Sequence, residues 1–139
     1  MLIDAEAGTV WKLLTETKLM EAWMGEPEMK IEIKTNWEIN SSISIKGFHH
    51  VYFENTGFVL GFEENRFLSY SHLNSISRLP DKKENYSIIE FYLQPNGRYT
   101  DLKIILKNFQ TETIFKHLQF YWMSTIGVIK DLAEQKQHF

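Results

Sequence analysis

The sequence has no cysteine, which excludes several structural and catalytic classes. A disulfide-stapled fold, a zinc site built on thiolates and a thiol nucleophile all need that residue. No stretch approaches the roughly 20 consecutive apolar residues that cross a bilayer. No basic segment precedes an apolar run at the N-terminus, as it does in a signal peptide. We therefore expect a soluble, cytoplasmic protein that does not insert into membranes.

The chain also lacks an excess of charge of either sign. Its formal net charge is −3, from 15 basic and 18 acidic side chains among 139 residues. This balance provides no general attraction to nucleic acid or to an anionic membrane. There is no internal repeat and no linker rich in proline, glycine or serine. We therefore expect one domain over residues 1–139.

Aromatic side chains, in contrast, are abundant. Ten Phe, six Tyr and four Trp make up 14% of the residues. That load exceeds what one small core strictly needs, so the arrangement of the rings is the main question that the sequence raises.

The N-terminal third shows the spacing of helices. After a short extended segment at residues 1–4, Asp4 is suited to cap a first helix that ends near Leu14. Thr15 is suited to cap a second helix, which Gly25 ends. The pattern therefore predicts two short consecutive helices.

The middle of the chain alternates between apolar and polar residues, which is typical of half-buried strands. The turn Pro95-Asn96-Gly97 between two such runs predicts a β-hairpin. The predicted strands form a meander at residues 37–46, 49–63, 66–73, 86–93 and 100–107.

The last segment returns to helical spacing. Thr111 is suited to cap a helix that starts at Glu112 and runs to about Gln135. Its apolar stripe needs a large surface to cover it, and a curved antiparallel sheet wrapped around the helix is the economical arrangement. The order of elements predicts an α+β helix-grip fold, with two short helices after strand 1 and a long C-terminal helix.

Several short motifs resemble one known family in the right order along nearly the whole chain. They resemble the START-like (SRPBCC) superfamily, and within it the activator of heat-shock protein 90 ATPase homologue-like family. The chain departs from that family at His72, where an aromatic ring is usual. The residues that carry the resemblance are 7–15, 19, 23–24, 57–59, 67–70, 100–102, 121–122 and 129–130.

The resemblance implies a cavity between the concave sheet and the long helix, in which superfamily members hold apolar or amphipathic ligands. The alternation along the strands and the helical stripe then select the side chains that point inward. The alternative is that these side chains fill a close-packed core. The predicted wall consists of Trp37, Ile39, Tyr70, His72, Ile89, Phe91, Leu102, Ile104, Leu118 and Trp122.

Three functional hypotheses follow. The first is non-catalytic binding of a small hydrophobic or amphipathic ligand. The second, which the resemblance implies, is a co-chaperone-like regulator of heat-shock protein 90 ATPase, or a stress-response interaction protein, with a chaperone as partner. The third is a cyclase- or hydratase-type enzyme with His72 as the acid–base group and Tyr70 behind it. The sequence has no nucleophile motif, phosphate-binding loop or metal-ligand spacing, so we expect no cofactor.

Overall fold

The computed structural model describes residues 1–138 and has an α+β architecture. Short 3₁₀ turns at Pro27–Met29, Ser75–Ser77 and Lys83–Asn85 connect some of its elements. In chain order the elements are β1 (Leu2–Ile3), α1 (Ala7–Thr15), α2 (Thr17–Met24), β2 (Glu32–Thr35), β3 (Ser42–His49), β4 (Val51–Glu63), β5 (Phe67–Asn74), β6 (Ser87–Asn96), β7 (Tyr99–Lys107) and α3 (Glu112–His138).

The seven strands form one curved antiparallel sheet in the order β1-β7-β6-β5-β4-β3-β2. Strands β2 to β7 form a meander. The first strand, β1, lies at the opposite edge of the sheet from β2, where Leu2 pairs with Asp101 of β7. The β6–β7 hairpin turns at Gly97, whose positive φ of 64° suits a residue without a side chain. The predicted helix-grip fold is confirmed.

Buried apolar side chains from α1, α2, the sheet and the C-terminal half of α3 form one continuous core. Two buried hydrogen bonds fix the N-terminal segment to it. The Trp23 indole N–H donates to the Leu13 carbonyl at 2.7 Å, and the Thr100 hydroxyl donates to the Ala5 carbonyl at 2.8 Å. These contacts satisfy polar groups that water does not reach.

The long helix α3 is anchored only along its C-terminal half. Thr125, Ile129 and Ala133 are buried there against α1, α2 and β1. Among the described residues of its N-terminal half, 112–124, none is fully buried. The helix therefore leaves space between its first half and the sheet.

Two of the predicted helix caps are wrong. α1 begins after Glu6 and α2 after Glu16, and neither side chain makes a capping hydrogen bond. The backbone N–H of Asp4 instead donates to the Glu134 carboxylate of α3 at 2.9 Å. This bond links the N-terminal segment to the C-terminal helix. The Thr15 hydroxyl donates to the carbonyl of Trp11 within α1, at 2.8 Å.

The predicted cap of α3 is confirmed. The backbone N–H of Ile114 donates to the Thr111 hydroxyl at 3.1 Å. This bond satisfies one of the N–H groups that the first helical turn leaves without a partner.

The strand predicted at residues 37–46 begins only at Ser42, so its first part is wrong. Asn36 forms a turn there, because its side-chain oxygen accepts from the Glu38 N–H at 2.9 Å and from the Ser41 hydroxyl at 2.6 Å. Trp37 has a φ of 59°, which no strand tolerates. The apolar spacing in this segment therefore does not reflect a pleat, and the four-residue strand β2 before it was not predicted.

Gly57 lies where β4 passes close to β5. A Cβ at this position would come within 1.7 Å of the Ser71 carbonyl oxygen and 3.1 Å of the His72 Cα. Phe58 donates its N–H to the Ser71 hydroxyl at 3.0 Å, beside this approach. Glycine therefore permits a close contact next to His72.

Replacing Gly57 tests this contact. We expect Gly57→Ala to lower the free energy of unfolding by about 1–3 kcal/mol, because the clash is with backbone and cannot be relieved by a rotamer change. Gly127→Ala, in the middle of α3, is the matched control, since a Cβ there meets nothing within 4 Å. It should raise stability by about 0.5–1 kcal/mol through helix propensity. Urea denaturation measures both, and unchanged stability of Gly57→Ala would contradict the close approach.

Candidate ligand-binding cavity

A cavity of about 590 Å³ lies between the N-terminal half of α3 and the sheet. This volume is in the usual range for small-molecule sites, about 300–1,000 Å³. Its wall comes from the end of α2, residues 29–31 just before β2, strands β3 to β6, the turns at residues 75–85, the loop before α3, and α3. The lining residues are Met24, Met29, Ile31, Ile45, His49, Phe53, Asn55, Tyr70, His72, Leu73, Asn74, Ile76, Ser77, Leu79, Asn85, Ser87, Gln110, Thr113, Ile114, His117, Leu118, Tyr121 and Trp122.

The two sides of the cavity differ in polarity. The side built from the end of α2, residues 29–31 just before β2, and β3 includes Met24, Met29, Ile31 and Ile45. The side built from the ends of β4, β5 and β6 and the adjoining turns carries most of the amide and hydroxyl groups. They are Asn55, Asn74, Ser77, Asn85, Ser87 and Gln110. The same segments also contribute Phe53, Leu73, Ile76 and Leu79, so the cavity combines a mainly apolar side with one that mixes polar and apolar groups.

Within the described part of the chain, no Asp, Glu, Lys or Arg lines the cavity. Its polar groups are amides, hydroxyls, two tyrosines and three histidines. A charged group entering this space would find no fixed opposite charge, and desolvation of an unpaired ion is costly.

Tyr70 and His72 lie two residues apart on β5, so their side chains share the inner face of the sheet. Tyr70 is only 2% exposed, and His72 lies directly across from Ser87 of β6. No side chain or carbonyl of residues 1–138 forms a hydrogen bond with the Tyr70 hydroxyl or the His72 ring. The wall therefore presents two polar groups without protein partners.

Burial keeps both groups uncharged at neutral pH. It lowers the pKa of the His72 ring from its ordinary value of 6.5 to about 4. Burial also raises the pKa of the Tyr70 hydroxyl well above its usual range, and the neighbouring Tyr121 adds to that rise. Each group is thus a neutral donor and acceptor.

The other polar side chains near this edge are already paired. The Asn74 amide donates to the Asn55 side-chain oxygen at 2.8 Å. The Gln110 amide donates to the carbonyls of Asn108, at 2.8 Å, and Glu84, at 3.2 Å. These bonds hold the amides in place and distinguish them from Tyr70 and His72.

Tyr121 and Trp122 separate the cavity from the core. The Tyr121 hydroxyl donates to the Met24 carbonyl at 2.7 Å, which joins α3 to the end of α2. Burial raises the pKa of Tyr121 to about 12. The Trp122 ring packs against Phe91 and Trp23, with centroids 5.6 and 5.8 Å apart. This pair of residues closes one end of the cavity.

Of the ten side chains predicted for the wall, four line the cavity and six lie elsewhere. Tyr70, His72, Leu118 and Trp122 line the cavity. The remaining six do not. Ile89, Phe91 and Leu102 are fully buried in the core, Ile104 packs against it, Trp37 stacks on Phe62 at 5.8 Å, and Ile39 is 52% exposed.

The prediction that Ile39 lies on the wall is wrong, because residues 36–41 form a turn rather than an inward-facing strand. Trp37 also points elsewhere. Its indole N–H donates to the Thr15 carbonyl at 2.7 Å, which ties the turn to the end of α1.

Sequence reasoning missed most of the polar wall. Phe53 and Asn55 lie on one face of a predicted strand, and Ile114 and Tyr121 share the helical face of Leu118, so their spacing was a usable signal. The turn residues Asn85 and Gln110 had no periodic signal, because loops have none.

Two further features are absent from residues 1–138. No described helix is both long and apolar enough to cross a membrane. No cluster of three or more His, Asp or Glu side chains in this part of the chain is arranged to hold a metal ion.

Comparison with known proteins relates this fold to others. Residues 4–134 match the family model described as Activator of Hsp90 ATPase homolog 1-like protein. A solution structure of a protein from Cytophaga hutchinsonii is similar, with a TM-score of 0.79 and 26% identity, covering 98% of this chain and 91% of that one. A crystal structure of a Chromobacterium violaceum protein has a TM-score of 0.82 at 13% identity, covering 96% and 93%.

The solution structure of the Aha1 dimer from Colwellia psychrerythraea is also similar. Its TM-score is 0.74 at 17% identity, and the match covers 96% of this chain and 92% of that one. No curated protein matches this chain in sequence. The structural likenesses support the fold described above.

The lowered pKa of His72 predicts a pH dependence of stability. The unfolded chain binds a proton near pH 6.5 and the folded chain only near pH 4, so stability falls as the pH drops through this window. The difference between these two pKa values corresponds to at most about 3 kcal/mol of unfolding free energy. His72→Phe should flatten the curve of unfolding free energy between pH 7 and 4.

His117→Phe, which removes an exposed histidine from the same cavity, is the matched control. Urea denaturation at several pH values measures the three proteins. A wild-type curve parallel to that of His72→Phe would show that folding leaves the pKa of His72 unchanged, and would contradict the prediction.

Proposed function

The chain belongs to the Activator of Hsp90 ATPase homolog 1-like family, and within it we propose that this protein binds a small hydrophobic or amphipathic molecule without transforming it. One observation carries the proposal: a cavity of about 590 Å³ with an apolar side and two unpartnered neutral polar groups. A cavity of this shape supplies apolar contact area and a few hydrogen bonds, which is what small-molecule sites usually combine.

The arrangement favours binding over catalysis. An acid–base histidine works best with a pKa near the operating pH, and a ring with a pKa of about 4 is a weak base at neutral pH. No carboxylate of the described wall orients His72, as one does in catalytic dyads and triads. The cyclase or hydratase hypothesis therefore has weaker support than simple binding.

A thermal-shift titration tests the proposal. We expect 2-naphthol, a compact aromatic probe, to raise the melting temperature with increasing concentration. At 100 times the Kd, saturation adds about 2.7 kcal/mol to stability. Leu118→Trp fills the cavity from α3 and should abolish the shift, whereas Phe120→Trp, on the outer face of the same helix, should keep it.

Calorimetric titration gives the number of probe molecules bound. One molecule per chain that is lost only in Leu118→Trp supports binding in the cavity. An equal shift in both variants would place the probe elsewhere, and no shift with naphthol, sterols or fatty alcohols would contradict the proposal.

A second candidate function is regulation of heat-shock protein 90 ATPase, which the family description names. One feature favours it: Phe120 and Met123 are 79% and 72% exposed on α3. At 100° per residue, both lie opposite the face that carries Leu118 and Trp122. Phe120 and Met123 are three residues apart, so they are neighbours on the helix surface, and contiguous exposed apolar patches mark interaction sites.

An ATPase assay with purified heat-shock protein 90 tests this role. If the candidate is correct, the protein stimulates ATP hydrolysis and a Phe120→Ser/Met123→Ser double variant loses most of that effect, because the apolar contact is gone. Leu60→Ser, at an exposed position of β4, is the control. No stimulation by the wild-type protein would eliminate the candidate.

A further inference from the structure

The absence of charge from the described cavity wall restricts the kind of ligand that fits. A carboxylate or ammonium group loses its hydration on entering, and only a fixed opposite charge or several hydrogen bonds offset that loss. Asp, Glu, Lys and Arg do not line this space in the described chain. Burial lowers the pKa of His72 to about 4, so this ring is uncharged at neutral pH.

The hydrogen-bonding groups that remain free define the complementary group. A neutral imidazole has one donor and one acceptor nitrogen, and a phenol hydroxyl both donates and accepts. A hydroxyl of the ligand can therefore donate to the acceptor nitrogen of His72 and accept from the Tyr70 hydroxyl. A carboxylate can accept from the His72 N–H and from the Tyr70 hydroxyl, so what disfavours it is the desolvation of its charge in a wall without a fixed opposite charge.

The distribution of the wall gives the ligand an orientation. His72 lies beside Ser87 and the Asn55–Asn74 pair, at the polar side of the cavity. Met24, Met29, Ile31 and Ile45 form the other side. An apolar body against these side chains places the polar end of the ligand at His72.

We propose that the cavity selects uncharged ligands that carry a hydroxyl group, with that hydroxyl held between Tyr70 and His72, and that it rejects the corresponding carboxylates. This inference rests on the proposed binding function and narrows it to a ligand class. It assigns Tyr70 and His72 as the residues that determine specificity.

Three probes of nearly equal size test the assignment by isothermal titration calorimetry at pH 7.5: 2-naphthol, 2-naphthoate and 2-methylnaphthalene. We expect 2-naphthol to bind at least tenfold more tightly than either of the others. The carboxylate suffers uncompensated desolvation, and the methyl compound leaves both polar groups unpaired.

Two variants test whether Tyr70 and His72 cause the preference for 2-naphthol. Tyr70→Phe removes one hydroxyl and nothing else, and His72→Phe removes the imidazole at similar volume. In each, the preference for 2-naphthol over 2-methylnaphthalene should fall by about tenfold. His138→Phe, at the far end of α3, is the matched control and should keep the wild-type preference. If His72→Phe fails to fold, Tyr70→Phe alone decides.

The outcomes separate this inference from the proposed function. Binding of none of the probes, and of no other member of the naphthol, sterol and fatty alcohol panel, would contradict both. Equal or tighter binding of 2-naphthoate would overturn the selectivity and leave ligand binding intact. An unchanged preference in Tyr70→Phe and His72→Phe would overturn the assignment of these two residues.

Discussion

The unequal anchoring of α3 is the constraint on which the rest of the structure depends. Its C-terminal half is buried through Thr125, Ile129 and Ala133, and its N-terminal half has no fully buried residue among those described. Tyr121 and Trp122 mark the change, since one bonds the end of α2 and the other packs on the core. A helix packed along its whole length would fill the concave side of the sheet. Because this one is packed along half of it, the same sheet covers a core at one end and a cavity at the other.

The polarity of the cavity follows from which segments reach it. The mainly apolar side comes from the end of α2, residues 29–31 and β3, and Ile31 and Ile45 there also belong to the core. The polar side comes from strand ends and turns, where amides and hydroxyls are common because they can bond the backbone. Charged side chains remain on the surface, as in the Lys107–Glu90 pair on the outer face of the sheet. The interior is thus polar in places without being charged.

The sequence predicts most of this fold, and the exceptions have physical reasons. Long alternating runs and the long helical stripe carry enough repeats to locate β4 to β7 and α3, whereas the four residues of β2 do not. At residues 37–41 the apolar spacing imitates a strand, but the Asn36 side chain stabilises a turn. The site is less predictable, because alternation gives the face of a side chain and not what covers it. Tyr70 and Ile89 both point inward as cross-strand neighbours, yet one meets the cavity and the other the core.

The division of the wall between core-continuous residues and turn residues has an evolutionary consequence. The turns at 75–85 and the segment around Gln110 contribute polar groups to the cavity but little to the buried core. Substitutions in such turns usually change stability by only a fraction of a kcal/mol. Descendants of this chain can therefore exchange the hydrogen-bonding pattern at one side of the cavity while the scaffold stays unchanged.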